Sequence, residues 1–375
     1  MTFEPDFHHL LDAACNRRPK RLPLYEHIIA PEIMAEILGV SMAMPGPEDS
    51  RAKYTDYYSK VCRFWREMTY DTVSFEAGII DLLPGHGAIM GGMPGPIQSW
   101  ADFEAYPFDN FSARYWEFWA PHLEALEKTM PAGMKAVGGC GNGVFELSED
   151  LVGYEPMCLL QFEEPALFGA LYQRIGDLMV ELWTQLIERY GHLFAVFRVG
   201  DDLGFKTSTL MSPGVIIEHI VPQYRRIVAL AHDADKPFLL HSCGNIFNVM
   251  DAIIDTGIDA KHSNEDEIAP FDEWITRYGD RLGNFGGIDL NVLTIRSPDE
   301  VYDTVLSEGA RFRGMTAGFA LGSGKSIPDY IPAESYLAMI AAAKQIRENE
   351  LNQNRAPTGM PLNDKRADNE GLLGN

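Results

Sequence analysis

Short β-rich or apolar runs alternate with helical stretches along most of the chain, and several of these runs end in a polar or glycine-rich step. That alternation restricts the fold more than any other feature, because strand–helix repeats assemble into a parallel sheet covered by helices. The spacing predicts eight strands, near 22–25, 72–75, 134–138, 194–199, 237–241, 258–262, 283–287 and 315–320. Eight such units predict an α/β protein of the (β/α)8 TIM-barrel type.

The stretches between strands support this reading. Phe168, Leu171, Ile175, Leu178, Leu182 and Leu186 follow three- and four-residue steps and therefore share one face of a helix. Ser212-Pro213 supplies an N-cap and a first-turn proline for a helix over 213–232. Residues 28–66 are helical in pattern and predict an N-terminal helical insertion in a single domain. The stretch 84–96 carries too much glycine and proline for a regular element and predicts an irregular loop, of the kind often used as a lid or binding loop. The barrel is expected over 1–351, with a flexible tail over 352–375, where periodicity is lost.

With 54 acidic and 31 basic side chains the net charge is −23, a field that repels polyanions and argues against a nucleic-acid partner. No apolar run reaches the roughly eighteen residues of a membrane span, and the N-terminus lacks a secretory pattern. Five cysteines without framework spacing fit reduced thiols, so a cytoplasmic protein is expected. The oligomeric state stays open, with a homodimer as one arrangement.

In a parallel barrel, functional side chains stand at the C-terminal ends of the strands. Here those ends carry Glu26, Glu76, Asp201-Asp202, His241 and Cys243, His262 with Glu265, and Asp289. His241 and Cys243 are two apart, so an extended backbone points both to one side, where imidazole and thiolate suit zinc. The competing reading is a buried thiol beside a histidine bonded to backbone. Asp201 and Asp202, in Gly200–Gly204, are candidate catalytic residues: paired carboxylates there orient substrate, act as base or share a proton, whereas ordinary turn chemistry would have one cap the next helix. One is expected to be functional and the other structural. Glu76, Glu146, His262 and Asp289 are candidate substrate-binding residues, Glu146 closing the Gly141–Glu146 segment, which is either a close backbone approach to a ligand or a tight turn. Gly318–Ser326 ends in Gly-Lys-Ser but has Phe319 where a phosphate loop needs its first glycine, so no nucleotide site is expected.

Gly-Asp-Asp-Leu-Gly (200–204), His-Ser-Cys-Gly (241–244), Gly-Gly-Ile-Asp (286–289) and Gly-Ser-Gly-Lys-Ser-Ile-Pro (322–328) together resemble the uroporphyrinogen decarboxylase-like superfamily, and most closely its cobalamin-dependent methyltransferase branch. The resemblance implies a (β/α)8 barrel that moves methyl groups between a small methylated donor or acceptor and a separate corrinoid protein. It also implies zinc at His241 and Cys243, completed in that branch by a later cysteine. Cys243 is the last cysteine of this chain, so oxygen ligands are expected instead, Glu26 first and then Glu76 or Asp289. A carboxylate in place of a thiolate makes a better Lewis acid, suited to a methoxylated substrate. No Asp-x-His-x-x-Gly motif is present, so methylcobalamin or another corrinoid is expected on a partner protein. The porphyrinogen-gripping arginines of true decarboxylases are replaced by Arg21-Leu22-Pro23-Leu24-Tyr25-Glu26-His27. The alternatives are a metal-independent decarboxylase and a non-enzymatic scaffold on a degenerate barrel.

Overall fold

The computed structural model describes residues 3–355. Seven parallel strands form one sheet in sequential order: β1 (Thr72–Ala77), β2 (Lys135–Cys140), β3 (Phe194–Gly200), β4 (Phe238–His241), β5 (Ala260–His262), β6 (Gly283–Ile288) and β7 (Phe319–Ser323). Helices cross between successive strands, and almost every strand residue is buried, as expected of a parallel sheet covered on both sides. The last strand lies later than the sequence suggests. The helix before it, opened by a Ser297–Glu300 capping box, runs on to Met315.

The expected closed eight-stranded barrel is not formed. The segment 22–25 reaches the sheet only through an isolated parallel bridge from Leu24 to Leu321, with Tyr25 N–H donating to Leu321 O (2.9 Å) and Leu321 N–H donating to Pro23 O (3.0 Å). Two features limit its pairing. Pro23 has no N–H to donate. On the other flank the His27 carbonyl accepts from the Ser74 hydroxyl and from Arg198 Nη1 (3.1 Å), so side chains stand where β1 would supply backbone donors.

Two cores follow from this arrangement. The larger fills the space between sheet and helices, and the six-residue stripe from Phe168 to Leu186 lies in it, all on the helix Pro165–Tyr190. The smaller lies inside the curl of the sheet, where Tyr25, Val137, Val196, Leu239, Ala260, Phe285 and Ala320 meet Leu10, Ala13 and Ala14 of the helix His8–Ala14. That short helix plugs the end of the sheet opposite the strand C-termini.

Other sequence expectations can be placed directly. Residues 28–66 hold the helices Pro31–Leu38 and Arg51–Glu67. Ser212 caps its helix by accepting from Val215 N–H, and a π-turn over Ile216–Ile220 precedes Pro222, which has no N–H for the regular ladder. The 84–96 stretch contains only one short 3-10 turn, Ala88–Met90, and is tied down by Asp150, whose carboxylate accepts from Gly87 N–H (2.8 Å) and Ile89 N–H (3.3 Å). The closing helix runs through Arg355, past the expected start of the tail at 352, and residues 356–375 lie outside the described residues. Among the described residues no helix is long and apolar enough to cross a membrane. All five cysteines are unpaired.

Candidate functional site

Two-residue steps along the strands carry the interior from apolar to polar. Val196 leads to Arg198, Leu239 to His241 and Ala260 to His262, so the side chains that close the inner core are followed by ionisable groups on the same face. Above them a cleft of about 350 Å³ opens at the C-terminal strand ends, lined among others by His27, Glu76, Glu146, Asp202, His241, Cys243 and Lys325.

His241 is the centre of the cluster. Its Nδ1 lies 2.8 Å from His262 Nδ1, and its Nε2 lies 3.5 Å from Cys243 Sγ and 3.8 Å from Asp202 Oδ1. His27 stacks on its ring with centroids 3.7 Å apart and planes 19° from parallel. Burial drives both His241 and His27 well below the usual histidine range, with neighbouring histidines and Arg198 adding to the effect. His262, fully buried, is lowered to about 3 by desolvation, and its Nε2 sits 2.9 Å from the Ser323 carbonyl. Cys243 is pushed up to about 12 by burial and by the Asp202 carboxylate. Its sulfur is a thiol unless a cation joins it.

The paired aspartates divide their work. Asp201 is fully buried and accepts from Phe145 N–H, Glu146 N–H (2.9 Å) and Tyr224 O–H (2.5 Å), which makes it the anchor for the N-terminus of the helix Val144–Val152. Asp202 faces the cleft, and its Oδ1 accepts from Cys243 N–H at 2.8 Å. Glu146 also faces the cleft, held by Asn142 Nδ2 (3.1 Å) and Asp202 N–H (3.2 Å). Burial first, then Asp201 and Asp202, push its carboxyl well above the usual range.

Three predicted site residues, His262, Glu26 and Asp289, are placed differently from their expected roles: His262, expected to bind substrate, is fully buried behind His241 and outside the cleft lining. Glu26 does not meet His241 and Cys243. Its carboxylate binds Ser323, accepting the backbone N–H at 2.8 Å and the hydroxyl, and burial raises it to about 8. The physical reason is strand parity: adjacent residues face opposite ways, so His27 takes the cleft and Glu26 turns toward β7. Asp289 caps the helix Leu290–Ile295 through Asn291 N–H (2.8 Å) and also holds Asp266 N–H (2.9 Å), outside the cleft lining. Gly141 makes room for a side chain rather than a ligand, since a Cβ there would stand 2.3 Å from Glu76 Cγ.

Two functional-looking residues were not singled out from the sequence. Arg198 is fully buried beneath the cleft and bonds Glu76 Oε2 (2.9 Å), Ser74 Oγ (2.9 Å) and Tyr25 O–H (3.3 Å) besides His27. A charged residue inside the apolar run Phe194–Val199 was the available signal. Lys325, the cation of the cleft, pairs with Glu265 at 2.8 Å.

Among the described residues, two groups bring three metal-donor atoms within 4.8 Å of one another: His27, His241 and His262, and Asp202, His241 and Cys243. The first is the poorer fit, because both nitrogens of His262 are already bonded. The second offers nitrogen, sulfur and oxygen. A tetrahedral zinc with its usual bond lengths separates a nitrogen and a sulfur ligand by about 3.5 Å, the separation seen between His241 Nε2 and Cys243 Sγ. Burial raises the Cys243 thiol, and a bound divalent cation would offset that by deprotonating it.

A curled parallel α/β sheet with an acid-, histidine- and cysteine-lined cleft at its strand C-termini defines a protein of the TIM-barrel-like enzyme class. The sequence matches the uroporphyrinogen decarboxylase (URO-D) family over residues 86–346, and the chain belongs to that family. Its fold is similar to that of a methyltransferase from Methanosarcina mazei, with a TM-score of 0.70 and 17% identity over 91% of this chain and 99% of that one. A glycoside hydrolase family 5 enzyme from Prevotella bryantii aligns with a TM-score of 0.45 and 10% identity over 89% of this chain and 97% of that one. The likeness to the Methanosarcina methyltransferase, at 17% identity, shows the fold alone. A comparison with curated protein sequences gives no match.

Proposed function

We propose that this enzyme transfers a methyl group between a small methylated compound, such as a methoxylated one, and the corrinoid of a separate partner protein, with zinc held by His241, Cys243 and Asp202. The observation that carries the reading is the convergence of Nε2, Sγ and a carboxylate on one side of an open cleft. When bound, zinc supplies Lewis acidity toward an ether or hydroxyl oxygen. Asp202 thereby takes the ligand position expected of Glu26.

The chain's own residues supply the rest. In demethylation the methyl group would pass as a cation to the partner's reduced Co(I) corrinoid, which supplies both electrons of the new bond, while the oxygen keeps the old bonding pair and needs a proton. Glu146, a cleft-lining carboxyl whose hold on its proton is raised by burial and by Asp201 and Asp202, is the group placed to give one. Arg198 holds Glu76 in place beneath, and Lys325 offsets part of the negative charge at the rim.

A metal-independent decarboxylase of the porphyrinogen type fits less well. A substrate with many carboxylates would meet Glu76, Glu146 and Asp202 with Lys325 as the cation lining the cleft, while the Arg198 guanidinium is buried and engaged. The test is incubation of the full-length protein with a methoxylated compound and a corrinoid protein reduced to Co(I) while following the cobalt spectrum, together with metal analysis of protein purified without chelator. About one zinc per chain and a changed cobalt spectrum support the proposal. A metal-free enzyme with full activity overturns the zinc assignment, and carbon dioxide release from a carboxylated tetrapyrrole with no cobalt change overturns methyl transfer.

A further inference from the structure

The 2.8 Å contact between His241 Nδ1 and His262 Nδ1 leaves room for one hydrogen between two nitrogens. Which ring owns it is decided at the other end of His262. There Nε2 lies 2.9 Å from the Ser323 carbonyl, an acceptor with no proton to give, so Nε2 carries a hydrogen and donates it. A neutral His262 then has a bare lone pair at Nδ1. The shared hydrogen belongs to His241 Nδ1, and His241 Nε2 is left unprotonated.

The alternative puts hydrogens on both nitrogens of His262 as an imidazolium. That ring is fully buried, and among the described residues no carboxylate bonds to it. The neighbouring cations Arg198 and Lys261 oppose a further positive charge. An uncompensated buried ion is the costlier state.

The support behind His262 is itself fixed. Ser323 is gripped at its N–H and its hydroxyl by Glu26, and Gly322 lets the segment 22–25 approach, since a Cβ there would stand 1.7 Å from Tyr25 O. On the other face, the stacked His27 ring leaves His241 little room to turn. Glu26, Ser323, His262 and His241 thus form one buried line running to the cleft.

We propose that His262 is a positioning residue that fixes His241 in the tautomer with its hydrogen on Nδ1, keeping the Nε2 lone pair aimed into the cleft beside Cys243 and Asp202. Its consequence for zinc rests on the function proposed above, but the tautomer does not. A ligand histidine held through its other nitrogen is oriented before the ion arrives.

The experiment is a two-bond proton–nitrogen spectrum of full-length, metal-free protein with 15N-labelled histidine, the His241 signals being assigned by their loss in His241→Gln. The wild type should show His241 protonated at Nδ1 and bare at Nε2. His262→Leu should shift His241 toward the Nε2-protonated form and weaken zinc binding by about 10–100-fold. His262→Gln, whose amide has both an acceptor and donors, should restore part of both. Protonation at Nε2 in the wild type, or an unchanged tautomer in folded His262→Leu, overturns the proposal. If His262→Leu does not fold, the wild-type and His262→Gln spectra decide the matter. The expected tautomer in a protein that binds no zinc supports the positioning role and removes the metal assignment.

Discussion

Replacing Arg198 by Met tests the polar layer beneath the cleft. Arg198 bonds Tyr25 O–H (3.3 Å), His27 O (3.1 Å), Ser74 Oγ (2.9 Å) and Glu76 Oε2 (2.9 Å). Methionine occupies a similar volume, so the cavity contribution is small. The two hydroxyls can turn, and the His27 carbonyl keeps its bond from Ser74. What remains is the Glu76 carboxylate without its guanidinium. Breaking a buried pair costs about 3–5 kcal/mol. The Glu76 side chain is 17% exposed at the cleft, so water recovers part of that loss. The expected cost is therefore about 2–4 kcal/mol, measured by urea unfolding with an unchanged denaturant slope. Arg198→Met/Glu76→Gln should regain about 1–2 kcal/mol, because the double variant has no unpaired charge. A single-variant cost under about 1 kcal/mol, or a double variant no more stable than the single, would refute the reasoning.

Other expectations follow from the same geometry. Asp202→Asn keeps an oxygen for Cys243 N–H but loses the charge, so zinc content should fall with little change in melting temperature. Asp201→Asn puts an amide among three donors, and should destabilise the fold by about 1–3 kcal/mol while leaving zinc content unchanged. Glu26 is raised by burial from 4.5 to about 8, so between those values the unfolded chain has released a proton that the native protein retains. Stability from this group is full below about pH 4.5 and declines as pH rises toward 8. Unfolding of Glu26→Gln, compared with wild type across that range, should lack this slope.

The alternation of strands and helices was legible because burial on both faces of a parallel sheet demands continuous apolar runs, and the acids and histidines at the ends of those runs marked the functional face. The His241–Cys243 step was legible because it depends only on strand period. The third donor was not. Asp202 reaches the pair across neighbouring strands, and the choice between Glu26 and His27 turns on a one-residue parity that sequence spacing leaves undefined. Asp289 stood at a strand end, as a functional acid would, yet its oxygens serve backbone donors. Arg198 was hidden by the opposite effect, a charge embedded in a run whose neighbours are all core. That the segment 22–25 joins the sheet by one bridge alone was not legible either, since on its other flank side chains from distant segments satisfy the His27 carbonyl.

That last feature gives the sheet an adjustable seam. Between the segment around His27 and β1, the link is the reach of Ser74 and Arg198 toward the His27 carbonyl, not the hydrogen bonds of a backbone ladder. The circumference of the cleft is therefore written in side-chain length. Shortening either residue would therefore loosen this seam while leaving the register of the β1–β7 pairs untouched.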